Sequence, residues 1–292
     1  MTTVSIEKEP VGAPPAAAAP GRNRNPYVQG LLTGRGIVGL VVLTVVVLAG
    51  LAAPLLTSYA PEFQTADSLA GPSTKHLLGT DDIGRDLWSR VLFGIRTDLI
   101  VMAAAVPLGA LAGMVLALLS VVSRWADVVV QRAFDLVMAF PGLILGLTVT
   151  AIMGSGKGTI IVVIAIIEAP GFGRMLRGAI LSHREREYAL AARVGGAGHT
   201  RLLVRHILPN AADPIIVQFA VSLSIAVIIE GALSFIGIGV RPPEPSLGSI
   251  VASSVIHLQD HPTYALGPLV AISALVLSLN LIAEALNKGV RR

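Results

Sequence analysis

Long apolar runs alternate with short polar segments along this chain. No charged residue occurs between Arg35 and Glu62, and the stretches 99–123, 136–156 and 262–283 are equally free of charge. Each reaches the roughly 20 residues that cross about 30 Å of hydrocarbon as a helix. The pattern predicts an all-α membrane protein with six spanning helices, at about 36–57, 98–121, 132–152, 159–176, 213–237 and 265–286. Glu168 and Pro170 interrupt the fourth span, and Glu230 lies inside the fifth.

The polar segments set the orientation. With the N-terminus in the cytoplasm, six spans put 16 of the 22 Lys and Arg residues inside and leave Lys75, Arg85, Arg90, Arg96, Lys157 and Arg241 outside. Cytoplasmic connections carry the basic excess, so both termini are expected inside. The first 30 residues are Pro/Ala-rich, contain Glu7 and Glu9, and have no short basic region abutting an apolar stretch. They read as a disordered cytoplasmic tail and not as a cleaved signal peptide. The expected organisation is therefore a tail at 1–30, a first span with an extracytoplasmic loop at 31–97, a helical core at 98–287 and a cytoplasmic end at 288–292. In the outer loop, Leu87, Val91, Leu92 and Ile95 have helical spacing, which predicts a helix lying along the membrane surface before the second span. Pro242, Pro243 and Pro245 predict an irregular loop over 238–264.

Composition agrees. Of the 292 residues, 53% are hydrophobic and 14% charged, against roughly a quarter charged in soluble domains. The net charge of +4 sorts by membrane side and needs no nucleic acid to explain it. The absence of cysteine excludes disulfides, thiol catalysis and Cys-ligated metal sites.

The longest inside connection, about 177–213, is patterned. Residues 184–194 are mostly good helix formers. Gly195, Gly196, Ala197 and Gly198 then permit a tight reversal. A second short helix is expected over 199–208, stopped by Pro209. Small residues at 189, 191, 192 and 196 suit close approach by another protein's surface.

Other candidates are weaker. The stretch 154–159 (Gly-Ser-Gly-Lys-Gly-Thr) lacks the spacing of a phosphate loop and reads as an outside turn. Glu230 is either a pathway or interface residue, or a packing carboxyl bonded to Ser234; Glu168 is similar, with a hydrogen bond to backbone freed by the nearby proline as its alternative. Arg132 and Asp135 suit an interfacial ion pair, and His257 with His261 suits solvated loop residues better than a metal site.

At 190–209 the chain resembles the ABC-importer permeases, whose motif runs Glu-Ala-Ala, three residues, Gly, nine residues, Ile, any residue, Leu-Pro. Ala191, Ala192, Gly196, Leu208 and Pro209 hold that spacing, while Leu190 and His206 replace the Glu and the Ile. The stretch 76–96, Glu187-Tyr188, Arg205 to Asn210 and residues 230–239 are similar to the C-type subunits of the dipeptide/oligopeptide/nickel subfamily. The resemblance implies a type I permease fold in which 98–287 is the core and the inside helix couples to an ATPase. It implies an ATPase-coupling set of Glu187, Tyr188, Ala189, Ala191, Ala192, Gly195, Gly196, Ala197, His199, Arg205, Leu208 and Pro209. A second permease, two ATPase domains carrying ATP and Mg, and an extracytoplasmic binding protein would complete the system. No cofactor, metal or catalytic role falls to this chain, and the solute stays open. A proton-coupled carrier using Glu168, Glu230 and Glu284 is the competing expectation, but the internal repeats common in such carriers are not evident. A membrane-embedded enzyme would need a cluster of catalytic groups that the chain lacks.

Overall fold

The computed structural model describes residues 26–290; the expected tail over 1–25 and the last two residues lie outside this description. The chain runs α1 (Pro26–Leu31), α2 (Gly34–Leu51), α3 (Ala53–Leu56), α4 (Leu87–Ser120), α5 (Arg124–Ala139) and α6 (Gly142–Met153). It continues α7 (Lys157–Arg184), α8 (Glu187–Val194), α9 (His199–Leu202), α10 (Ala212–Phe235), α11 (Leu247–Ser254) and α12 (Pro262–Val290). Five helices are long and apolar enough to cross a membrane, and the bent pair α5–α6 makes a sixth if counted as one span.

Five expectations change. Residues 86–96 do not lie apart along a surface: they open α4, and Leu87, Val91, Leu92 and Ile95 are buried in the main core. Helical periodicity identifies an apolar face without saying whether lipid or protein covers it. The expected span 132–152 is broken by a 97° bend between α5 and α6. Pro141 holds Phe140 extended (φ −86°, ψ 132°), as a residue before proline prefers. By contrast, α7 runs uninterrupted through Glu168 and Pro170. Finally, the 238–264 stretch contains α11, which begins at a capping box between Ser246 and Ser249 that the preceding prolines mask. At the other end, residues 26–30 of the expected tail form most of α1. An added Cβ on Gly30 or Gly289 would come within 2.3 Å of a carbonyl oxygen of the facing helix, so this crossing of α1 and α12 requires glycine.

The centre of the fold is the pairing of α4 with α7. A Cβ at Gly109 would sit 2.8 Å from the Ala165 carbonyl oxygen, and one at Gly113 only 2.1 Å from that of Ala169. Two glycines four apart on one helix face thus bring the two backbones together, the small-residue packing that suits helices in lipid.

Residues 58–86 tie a compact knot onto the start of α4. Asp81 is 0% exposed. Its Oδ1 accepts from Ile83 N at 3.1 Å and Arg85 N at 2.8 Å, and its Oδ2 from Arg85 Nε at 2.6 Å. His76 Nδ1 meets Asp86 Oδ1 at 2.8 Å, and the other Asp86 oxygen caps α4 by accepting from Ser89 N at 2.8 Å. The polar run in the sequence is therefore an internally bonded unit.

Candidate functional site

The segment between α7 and α10 takes its shape from one turn. α8 starts at Glu187, whose carboxylate suits a helix N-terminus. At its other end Gly196 has φ +81°, Gly196 N donates to Arg193 O at 3.0 Å, and Ala197 N donates to Ala192 O at 3.0 Å. These paired bonds with a left-handed residue form the Schellman termination. Gly195 has an ordinary φ of −73°.

α9 does not stop at Pro209. It passes through a π turn (Leu203–Ile207) and a 3-10 turn (Leu208–Ala211) directly into α10. Pro209 lies at the start of the 3-10 turn, where a missing N–H is tolerated. The Asn210 side-chain amide donates to the His206 carbonyl at 2.6 Å, satisfying an acceptor in the turn that the proline interrupts. The second half of the segment is thus a continuous helical extension of α10.

The faces of α8 differ from the sequence expectation. Ala189 is 0% exposed, packed in a cluster with Ala117, Leu176, Ile180, Leu202 and Ile207, and Ala192 packs against the same cluster. These small residues seat α8 on its own chain and do not face outward. Presented outward are Glu187, Tyr188, Leu190, Ala191 and Val194, the last 91% exposed. Tyr188 Oη meets His183 Nδ1 at 2.8 Å. Exposed Arg186, Arg193, Arg201 and Arg205 make the surroundings basic. Gly196 is exposed, and a Cβ there would meet nothing within 4 Å. Leu208 packs against the cluster, and Pro209 is exposed. The side chain of His199 lies outside the description.

The two candidate pathway carboxyls are buried within the chain. Ser234 Oγ donates to Glu230 Oε1 at 2.6 Å and accepts from Val240 N at 3.2 Å. Ser222 Oγ donates to Glu168, joining α10 to α7. Asp98, 1% exposed, stands against Glu230 and the backbone of Leu247, so α4, α10 and α11 meet at two carboxyls. The sequence reading missed Asp98; the signal was a lone carboxyl at the edge of a charge-free run. Glu284 pairs with Arg35 at 3.0 Å on an exposed face, away from any relay.

The remaining candidates are structural. Gly154 and Gly156 (φ +81° and +148°) form the turn between α6 and α7, and Lys157 pairs with Glu244 at 2.9 Å. Arg132 reaches Asp135 at 3.2 Å, and Arg174 joins them at 2.5 Å. Among the described residues no group of three or more His, Cys, Asp or Glu is placed to hold a metal.

The helical bundle with a seated helix on one face is the fold of ABC importer permeases. It aligns with a chain of an amino acid ABC transporter (TM-score 0.51, 20% identity, 66% of this chain and 89% of that one). It also aligns with a chain of the inward-facing MetNI methionine ABC transporter (TM-score 0.52, 21% identity, 70% and 94%). At that identity the likeness establishes the fold alone. The family follows from sequence: residues 105–292 match the binding-protein-dependent transport system inner membrane component, and the chain belongs to that family. It is 38% identical to the dipeptide transport system permease protein DppC of Alkalihalophilus pseudofirmus, covering 86% of this chain and 83% of that protein. It is 37% identical to the glutathione transport system permease protein GsiD of Pectobacterium atrosepticum, covering 85% and 83%. A putative peptide permease protein of Brucella suis is also 37% identical, covering 93% and 91%. Membership makes this a transport subunit of the inner membrane, and nothing supports the proton-coupled alternative.

Proposed function

We propose that this chain is one permease subunit of an ATP-driven importer, forming half of the pathway for di- or oligopeptides, or a related small solute, across the plasma membrane. A second homologous permease completes the pathway. Two cytoplasmic ATPase domains bind ATP and Mg and perform the hydrolysis, and an extracytoplasmic binding protein delivers the solute. The names of the dipeptide and glutathione relatives support a short-peptide solute. The basic segments at 174–205 and 288–292 support a cytoplasmic face that holds both termini and α8.

The observation that carries the reading is the seating of α8. Its inner face is locked by Ala189 into the same cluster as Leu176 of α7, Leu202 of α9 and Ala117 of α4, while its outer face is free. A force applied to Leu190 or Val194 by a closing pair of ATPases passes through a packed contact into three helices. Rigid-body rocking of the bundle is the expected response. The coupling residues other than His199 divide accordingly. Glu187, Tyr188, Ala191 and Arg205 meet the ATPase. Ala189, Ala192 and Leu208 seat the helices, and Gly195, Gly196, Ala197 and Pro209 shape the turns. Glu168, Glu230 and Ser234 tie α7, α10 and the 234–240 bend together and hold the bundle's shape during that motion.

The test is reconstitution. Vesicles holding this chain, its partner permease and the ATPases should accumulate a labelled dipeptide only with ATP and the binding protein. Accumulation by this chain alone, without ATP, would overturn the proposal.

A further inference from the structure

A cavity of about 250 Å³ opens where the end of α4, the start of α5 and the last turns of α7 meet. Its polar wall includes Ser123, Arg124, Asp127, Arg177 and Arg184. Asp127 is already engaged: Arg177 Nε and Nη2 donate to its two oxygens at 2.6 Å each, a bidentate fork. Arg35, Arg132 and Arg174 each reach a carboxylate as well, at 3.0, 3.2 and 2.5 Å. Among the described residues, Arg124 and Arg184 reach none. With Arg177 and Asp127 cancelling, two uncompensated guanidinium groups face one small cavity. The N-terminus of the 16-residue α5 opens at the same mouth and adds its partial positive charge.

The surroundings specify the anion. Trp125, beside Arg124, is 82% exposed; an indole with an apolar body and one polar edge belongs at the level of lipid headgroups. A second cavity of about 450 Å³ is lined by Leu118, Val121, Val122, Arg184, Thr200 and Leu203. It shares Arg184 and both valines with the first. A basic pocket therefore passes across one arginine into a mostly apolar slot, next to an interfacial tryptophan.

We propose that the paired cavities bind an anionic glycerophospholipid of the leaflet on the α8 side of the membrane. Arg124 and Arg184 hold the phosphodiester, and the apolar slot takes the first carbons of an acyl chain. A zwitterionic lipid offers the same phosphate but brings its own cation against the arginines, so it is the weaker ligand. The slot borders Thr200 and Leu203, so the bound lipid packs against the α9 extension of α10. This site stands whether or not α8 couples to an ATPase.

The assembled transporter, in vesicles doped with photoreactive phosphatidylglycerol or photoreactive phosphatidylcholine, provides the test. Label mapped to residues 118–125 and 181–203 should be at least about fivefold higher for phosphatidylglycerol, the scale that one basic residue adds at an anionic surface. The double variant R124Q/R184Q should fall to the phosphatidylcholine level. Raised salt should narrow the preference in the unmodified protein, a readout that does not depend on the variant assembling. Equal labelling by the two lipids, or undiminished phosphatidylglycerol labelling in R124Q/R184Q, would overturn the proposal. Loss of lipid label to millimolar glycerol phosphate would assign the pocket to a soluble phosphate ester and overturn it too.

Discussion

Gly195 and Gly196 are neighbours of identical chemistry, yet the fold asks opposite things of them. Gly196 sits at φ +81°, Gly195 at −73°. Crowding does not separate them, since a Cβ at 196 meets nothing within 4 Å and one at 195 meets only carbonyl oxygens at 3.5 and 3.6 Å. The backbone therefore decides. Gly196→Ala costs about 1–2 kcal/mol for a left-handed L-residue. Gly195→Ala, in an ordinary conformation, gains about 0.4–1 kcal/mol from a less flexible unfolded chain. The two variants should differ by about 1.5–3 kcal/mol, one to two orders of magnitude in the opening equilibrium of the turn. Gly196→Asn should recover part of the loss, because asparagine tolerates that conformation. Hydrogen exchange of the Gly196 and Ala197 amides reads this directly in the assembled transporter, since their bonds to Arg193 and Ala192 break when the turn opens. Exchange accelerated as much by Gly195→Ala as by Gly196→Ala would refute the assignment of the turn.

Three further outcomes are expected. Gly113→Val places a Cβ 2.1 Å from a backbone oxygen of α7 and should lower the transporter's thermal midpoint by an overpacking cost of about 1–3 kcal/mol; Gly178→Ala, with open space around it, should not. Asp81→Asn leaves Arg85 and Arg90 without a buried carboxylate, a cost of about 3–5 kcal/mol, and should make the 58–86 knot sensitive to protease added outside intact cells. Tyr27, half-buried and donating to Asp213, has its phenol pushed up from 10.0 to about 12 by burial and that carboxylate. Its contribution is full below pH 10 and is lost as pH rises through about 12; an ultraviolet titration of wild type minus Tyr27→Phe should show one phenolate forming near the higher value, and formation near 10 would contradict it.

The sequence was most legible where the physics is one-dimensional. Span number and the helix–Gly–helix between α7 and α10 follow from charge-free length and helix punctuation. What stayed hidden depends on partners distant in the chain. Ala189 gives no local sign that it faces Leu176 and Ile180 and not another protein. Pro209 signals a stop, and only a change of helical pitch carries the chain through it. The α5–α6 bend was written in Pro141 but masked by apolar residues on both sides. Asp98 and Glu230, 132 positions apart in the chain, become neighbours only when α4 packs against α10. Periodicity found the apolar face of 86–96, while its cover comes from α2, α11 and α12, whose Gly50, Leu247 and Gly267 pack against it.

The absence of cysteine allows the coupling claim to be tested with single introduced thiols. In the transporter assembled with its partners, Leu190→Cys and Val194→Cys, on the exposed face of α8, should each cross-link to an ATPase subunit with a short bifunctional reagent. The yield should change between the ATP-bound and nucleotide-free states. Ala189→Cys, on the seated face, should give no such product. Cross-linking from Ala189→Cys but not from 190 or 194, or none from any of the three in a complex that transports, would contradict α8 as the contact that passes ATPase closure to the membrane helices.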